Sequence, residues 1–150
     1  MSEYNFISSF ISTFQKQYQS KNAKKPKGKN QSTYADCEII YNSTKIMIEC
    51  KLLKDTHSNS SSFFSLLGEI IGLSTKESLF SGNHNNATGI LIPEESSKTF
   101  FNLWKKNISV EAGNAFVESY KLHYLIMYSE NGKKITLLRY DKTNNKWVNC

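Results

Sequence analysis

The sequence is poor in arginine and cysteine, and it contains no long apolar run. Arg139 is its one arginine, so it lacks the arginines that usually read guanine in sequence-specific DNA recognition. No apolar stretch approaches the ~20 residues that span a bilayer, and the N-terminus lacks the layout of a signal peptide. Cys37, Cys50 and Cys150 show no metal-ligand spacing, and three cysteines fit a reducing compartment. We therefore expect a cytoplasmic protein with no membrane segment.

Two further absences narrow the chemistry. His57, His84 and His123 fall in a loop, a turn and a strand, which disfavours a histidine-based nuclease, and no glycine-rich phosphate loop occurs. A length of 150 residues allows one domain. Apolar residues make up only 39% of the chain, but aromatic residues at 13% supply large side chains for a core. We expect a single domain over residues 1–150.

The formal charge of +6 is concentrated near the N-terminus. Residues 1–35 hold six lysines and one acid, whereas the other 115 residues hold 13 basic and 12 acidic groups. The predicted basic loop, residues 21–32, contains Lys24, Lys25, Lys27 and Lys29. Such a segment can bind the phosphates of a nucleic acid by releasing counterions. The alternative is a solvated loop with no ligand, and charge alone does not separate the two.

Hydrophobic periodicity predicts eight elements. Aromatic residues at i, i+4 spacing predict a helix over residues 4–18, and Asn131-Gly132 between two apolar runs predicts a C-terminal β-hairpin. The expected order is helix, strand, strand, helix, strand, helix, strand, strand. The predicted fold is α/β, with a central mixed β-sheet flanked by helices. The intervening elements are strands at residues 34–41, 45–53 and 88–92 and helices at residues 63–79 and after Pro93.

Charged residues occur on an otherwise apolar strand. Strand alternation puts Met47, Glu49 and Lys51 on one face and the apolar residues between them on the other. If Asn42 and Ser43 form a two-residue turn, Asp36 lies opposite Glu49 on the same face. A loop of odd length would move Asp36 to the other face. The prediction therefore depends on the parity of this turn.

Two carboxylates on neighbouring strands repel each other unless a positive charge lies between them. Mg²⁺ prefers carboxylate oxygens and keeps waters for substrate phosphates, and a nearby lysine can stabilise charge or orient the attacking water. Asp36, Glu49 and Lys51 together therefore suit hydrolysis of a phosphodiester. The alternative is a ladder of surface ion pairs on a half-exposed sheet.

Asp36, then twelve residues, then Glu49-Cys50-Lys51, followed by a helix and a buried strand, resembles the PD-(D/E)xK nuclease superfamily. The resemblance covers residues 1–92 and implies a restriction-endonuclease-like core, with the C-terminal third as an elaboration. It implies that Asp36 and Glu49 bind Mg²⁺, or Mn²⁺ in its place, and that Lys51 assists the water. Many members add an acid from the first helix, and only Glu3 fits that position here.

The sequence thus predicts a metal-dependent endonuclease acting on DNA, with a bound cation and a possible homodimer through the C-terminal hairpin. Two other functions stay open. One is an inactive nuclease-like module that binds nucleic acid, and the other is a protein-interaction module. We expect Glu69, on the helix that follows the motif, to face water.

Overall fold

The computed structural model describes residues 2–18, 35–53, 59–76 and 85–150. The eight expected elements are present within these residues, together with a further helix and a further strand. The helices are α1 (Glu3–Gln17), α2 (Asn59–Lys76), α3 (Ser97–Asn107) and α4 (Val110–Tyr120). The strands are β1 (Cys37–Tyr41), β2 (Thr44–Cys50), β3 (Asn86–Pro93), β4 (Leu122–Ser129), β5 (Lys134–Asp141) and β6 (Lys146–Asn149).

These six strands form one mixed sheet in the order β1-β2-β3-β4-β5-β6. The β2–β3 and β3–β4 pairs are parallel, and the other three pairs are antiparallel. Both parallel connections advance across the sheet in the same direction. Because such crossovers are right-handed, their helices lie on one face of the sheet. The predicted α/β class with a central mixed sheet is confirmed.

α1 covers the opposite face of the sheet. The Ser2 hydroxyl caps its N-terminus by accepting a hydrogen bond from the Asn5 backbone N–H at 3.1 Å, which satisfies one of the free donors of the first turn. Its apolar side packs on inward-facing residues of the strands, among them Tyr128. The buried helical residues are those expected from the spacing, namely Phe6, Ile7, Phe10, Ile11 and Phe14.

The helices that follow β2 and β3 form the second half of the core. Phe63 of α2 contacts Phe100 and Trp104 of α3, with ring centroids 5.5 and 6.4 Å apart. Trp104 is buried, so it is part of the core and not a base-stacking surface. This aromatic cluster fixes α2 against the sheet and thereby positions any side chain that α2 contributes to a site.

Two elements were absent from the expected order. α4 occupies the region that we interpreted as a glycine-containing connection, and Gly113 lies within it. Its start has ordinary signals, since Ser109 accepts a hydrogen bond from the Ala112 N–H and Glu111 lies in the first turn. β6 pairs with β5, so the β4–β5 hairpin is not a free sheet edge. The expected dimer edge is therefore wrong, and β6 is the outer strand on that side.

Other expectations concern the cysteines and the membrane. Cys37 and Cys50 lie buried on the α1 side of the sheet, and neither forms a disulfide. They fill space as small apolar side chains. Among the helices described here, none is both long enough and apolar enough to pass through a bilayer.

The β1–β2 hairpin has the two-residue turn on which the sequence argument depends. Tyr41 pairs with Thr44, so Asn42 and Ser43 alone form the connection. Their φ angles are 49° and 62°, as a turn that matches the twist of the flanking strands requires. Asparagine adopts this left-handed conformation more easily than serine does. The even loop length sets which face each β1 side chain occupies.

We predict that Ser43→Gly stabilises the protein. Glycine removes the steric penalty of a side chain at positive φ, with an expected gain of about 0.5–1 kcal/mol in the free energy of unfolding. Urea unfolding would measure the change. The matched control is Ser119→Gly, because Ser119 is exposed in α4. Glycine in a helix should lower the free energy of unfolding by roughly the same amount. Equal destabilisation by both substitutions would contradict our description of the turn.

Candidate metal centre

Asp36 lies just before β1 and folds over the end of β2. Its backbone N–H donates to the Ile48 carbonyl at 2.9 Å. Its carboxylate accepts a hydrogen bond from the Cys50 backbone N–H at 2.8 Å. The hairpin register brings the side chain to this point, and the backbone donor holds one of its oxygens in place. The second oxygen is left for other contacts.

Glu49 lies near the end of β2 and points away from α1. Its neighbours Ile48 and Cys50 belong to the core beneath α1, whereas Met47 packs with Leu73 of α2 on the other face. By strand alternation Glu49 shares the face of Met47. Only 7% of Glu49 is exposed, which is rare for a glutamate without a partner.

α2 supplies a third carboxylate, and here the sequence expectation was wrong. The Lys51 ammonium donates to Glu69 Oε1 at 3.1 Å, so Glu69 turns toward the motif, with 37% of its side chain still exposed. Its position on the helix explains this, because Leu66 and Leu73, three residues before and four after, are both buried. A helix phased on those two leucines would have indicated that Glu69 borders the sheet.

Asp36, Glu49 and Glu69 form a group whose carboxylate oxygens lie within 4.8 Å of one another. With metal–oxygen bonds of ~2.1 Å, opposite ligands of octahedral Mg²⁺ are about 4.2 Å apart. Because at least two of the three ligand pairs must be neighbours, about 3.0 Å apart, the group contracts by up to about 1.8 Å to share such an ion. Oxygen-only donors suit Mg²⁺ or Mn²⁺ rather than softer metals. These residues fit the cation that the sequence predicted, with Glu69 in addition to Asp36 and Glu49.

Burial and a surplus of acidic groups set the electrostatics of the centre. Burial, then the charge of Asp36 and hydrogen bonding to Asp36 and Glu69, raises the pKa of Glu49 to about 10. Burial alone lowers the pKa of Lys51, but its hydrogen bond to Glu69 and the charge of that residue outweigh this and raise the pKa. Lys51 is therefore an ammonium at neutral pH, and Glu49 keeps its proton until a cation replaces it.

Glu3 lies in the first turn of α1, next to the centre rather than within the carboxylate group. Burial, followed by the negative charge of Asp36, raises its pKa to about 7, and the charge of Lys51 opposes the shift. Its carboxyl is thus electrostatically linked to the site. The structure does not bring it into the group formed by the other three acids, so its role as a ligand stays a prediction.

The lysines expected to contact nucleic acid, Lys24, Lys25, Lys27 and Lys29, lie outside the described residues.

Comparison with known proteins gives the fold. No family model matches the sequence, and no curated protein matches it. An XisH family protein from Nostoc punctiforme shares the fold with a TM-score of 0.53 and 14% identity, over 95% of this chain and 98% of the other. An fdxN element excision controlling factor protein from Anabaena variabilis aligns with a TM-score of 0.56 and 16% identity, over 97% and 99%. At this identity the similarity establishes the fold alone.

We predict that stability without metal falls as pH rises. The pKa values of Glu49 and Glu3 are raised in the folded state, to about 10 and about 7. As pH rises above about 4.5, the unfolded chain loses these protons while the folded protein keeps them. The free energy of unfolding therefore falls until the pH reaches the folded-state pKa values. Each retained proton gives a slope of at most about 1.4 kcal/mol per pH unit. Thermal unfolding in EDTA between about pH 5 and pH 8 would measure it.

Glu49→Gln should reduce this slope and stabilise the metal-free protein at the upper pH, because the amide stays neutral. Mg²⁺ should raise the melting temperature of the unsubstituted protein there and have less effect on the variant. Glu111→Gln is the control, since Glu111 is exposed on α4. The same slope in all three proteins would contradict the assigned electrostatics.

Proposed function

We propose that this protein is a Mg²⁺-dependent nuclease that hydrolyses phosphodiester bonds in DNA. The observation that carries the proposal is the convergence of three carboxylates and one ammonium group at the end of β2. Asp36, Glu49 and Lys51 come from the motif, and Glu69 comes from the following helix. A donor set of this kind supports phosphoryl chemistry, in which positioning and charge stabilisation do most of the work.

Asp36, Glu49 and Glu69 would hold the cation, which when bound supplies Lewis acidity toward a phosphate oxygen and lowers the pKa of water. Lys51 is protonated, so it acts as a hydrogen-bond donor rather than as a base. Its ammonium can orient the attacking water or stabilise negative charge on the phosphate. Glu69 holds that ammonium at 3.1 Å and so fixes its direction.

The choice of DNA rests on the charge of the chain and on the resemblance to a nuclease superfamily. One arginine in 150 residues disfavours readout of guanine, so the proposal includes cleavage without a defined target sequence. Lys24, Lys25, Lys27 and Lys29 are proposed to contact phosphates. The free buried cysteines are consistent with a cytoplasmic location, which belongs to the same proposal.

A second candidate is a nuclease-like module that binds nucleic acid without cutting it. Two observations favour it. The Lys51 ammonium is already engaged by Glu69, and one structural neighbour is named for controlling excision of an element. Such a module would bind in a salt-dependent way, and Asp36→Asn would leave its binding unchanged.

Cleavage assays on plasmid and on labelled oligonucleotides test the first proposal. We expect Mg²⁺- or Mn²⁺-dependent cleavage that EDTA abolishes. Glu49→Gln and Lys51→Ala should each lower the rate by about 10²-fold or more, because each removes a group needed in the transition state. Glu111→Gln and Lys106→Ala, at exposed positions on α4 and α3, are the charge-matched controls and should retain full activity.

Circular dichroism should show that the four variants stay folded. Cleavage that persists unchanged in Glu49→Gln and Lys51→Ala would point to a contaminating enzyme and sink the proposal. Metal-independent DNA binding with no cleavage by the unsubstituted protein would favour the second candidate instead.

A further inference from the structure

A polar groove runs between α1 and the turn that joins β4 to β5. Its cavity has a volume of about 600 Å³. Among the described residues that line it there is no carboxylate, so its two ammonium groups give it a charge of +2. Its lining consists of three hydroxyl residues, two lysines and one glutamine, namely Ser9, Ser12, Thr13, Lys16, Lys133 and Gln17.

Hydrogen bonds to one buried phenol hold the wall of this groove in place. The Tyr128 hydroxyl lies 2.6 Å from Ser9 Oγ and 2.9 Å from Thr13 Oγ1. The Tyr128 ring is fully buried and packs edge-on against Phe6. Lys133 in turn donates from Nζ to Ser9 Oγ at 3.1 Å. The serine, the threonine and one lysine are therefore preorganised before any ligand arrives.

Hydroxyl and ammonium donors without a competing acid are the groups that bind an oxyanion. We propose that this groove binds a phosphodiester of a nucleic-acid strand, as a phosphate contact separate from the acidic centre. The inference rests on the proposed function for the identity of its ligand. Lys16 and Lys133 supply the charge. Of Ser9 and Thr13, the residue that accepts the Tyr128 hydrogen keeps its own hydroxyl hydrogen for a phosphate oxygen.

A second, separate cavity lies near Tyr128. It has a volume of about 830 Å³ and is lined by Tyr128, which bonds the hydroxyls of the groove, and by Leu52, which directly follows Lys51. Its charged lining residues are two acids and one lysine, Glu95, Glu130 and Lys98. The net charge of −1 makes this cavity unfavourable for a phosphate, but a neutral base and sugar can bind there.

The test measures binding without catalysis. Anisotropy of a fluorescein-labelled single-stranded DNA is followed in EDTA over a range of salt concentrations. The probe variant is Lys16→Ala/Lys133→Ala, and the control is Lys105→Ala/Lys106→Ala, an equal charge change at exposed positions at the end of α3. Losing two phosphate contacts should weaken binding roughly tenfold and reduce the salt slope for a single strand by about 1.4. The control should change neither quantity to that extent.

Further arms separate the outcomes. Lys16→Arg/Lys133→Arg should restore binding, and Thr13→Val, which keeps the shape but removes a hydroxyl, should weaken it. Equal losses in the probe and control variants would mean general charge attraction and would overturn the inference. Unchanged DNA binding in the probe variant would also overturn the inference. This holds even if calorimetry shows that the groove binds inorganic phosphate, because phosphate alone is not a nucleic-acid strand. Binding that behaves as expected in a protein that never cleaves DNA would support the groove and refute only the nuclease.

Discussion

The register of the β1–β2 hairpin is the constraint on which the candidate centre depends. With Tyr41 opposite Thr44, the side chains of β1 are assigned to faces by a turn of two residues, and Asp36 reaches the end of β2 on the side of Glu49. One residue more in the turn would send Asp36 toward α1, into an apolar layer that offers it no partner. A local conformational preference at Asn42 and Ser43 thus determines whether two acids meet.

Once they meet, the balance of charge limits what the centre can be. A structural ion pair would match each acid with a base, but here three carboxylates gather around one ammonium. Burial first, and the excess of acidic groups second, raise the pKa of Glu49. Burying acidic groups without matching bases costs free energy, in a domain whose net stability is only about 5–15 kcal/mol. A divalent cation bound as we propose would balance their charge. The same excess explains why Lys51, although partly desolvated, stays protonated.

The sequence predicted elements whose spacing repeats over many residues. It did not predict features that depend on a single residue. α1, the two hairpins and the buried β3 follow from periodicity, because many residues share the same signal. Glu69 was missed because a single acid on a helix is ambiguous unless the helix phase is known, and the phase depends on which of several leucines packs against β2. α4 was missed because Gly113 suggested a loop, and β6 because its four residues carry too short a pattern.

α1 connects the two regions to which we assign function. Its apolar side fills the core, its first turn carries Glu3 beside the acidic centre, and its polar flank carries Ser9, Thr13 and Lys16 along the groove. Because Tyr128 of β4 contacts both the apolar and the hydroxyl side of this helix, the acidic and basic regions are fixed to the same sheet. On a flexible segment, the acid at one end of α1 and the lysine at the other could approach and neutralise each other. On a helix packed against the sheet these charges stay apart. The acidic centre can then bind a cation, as we propose, while the groove binds a phosphate.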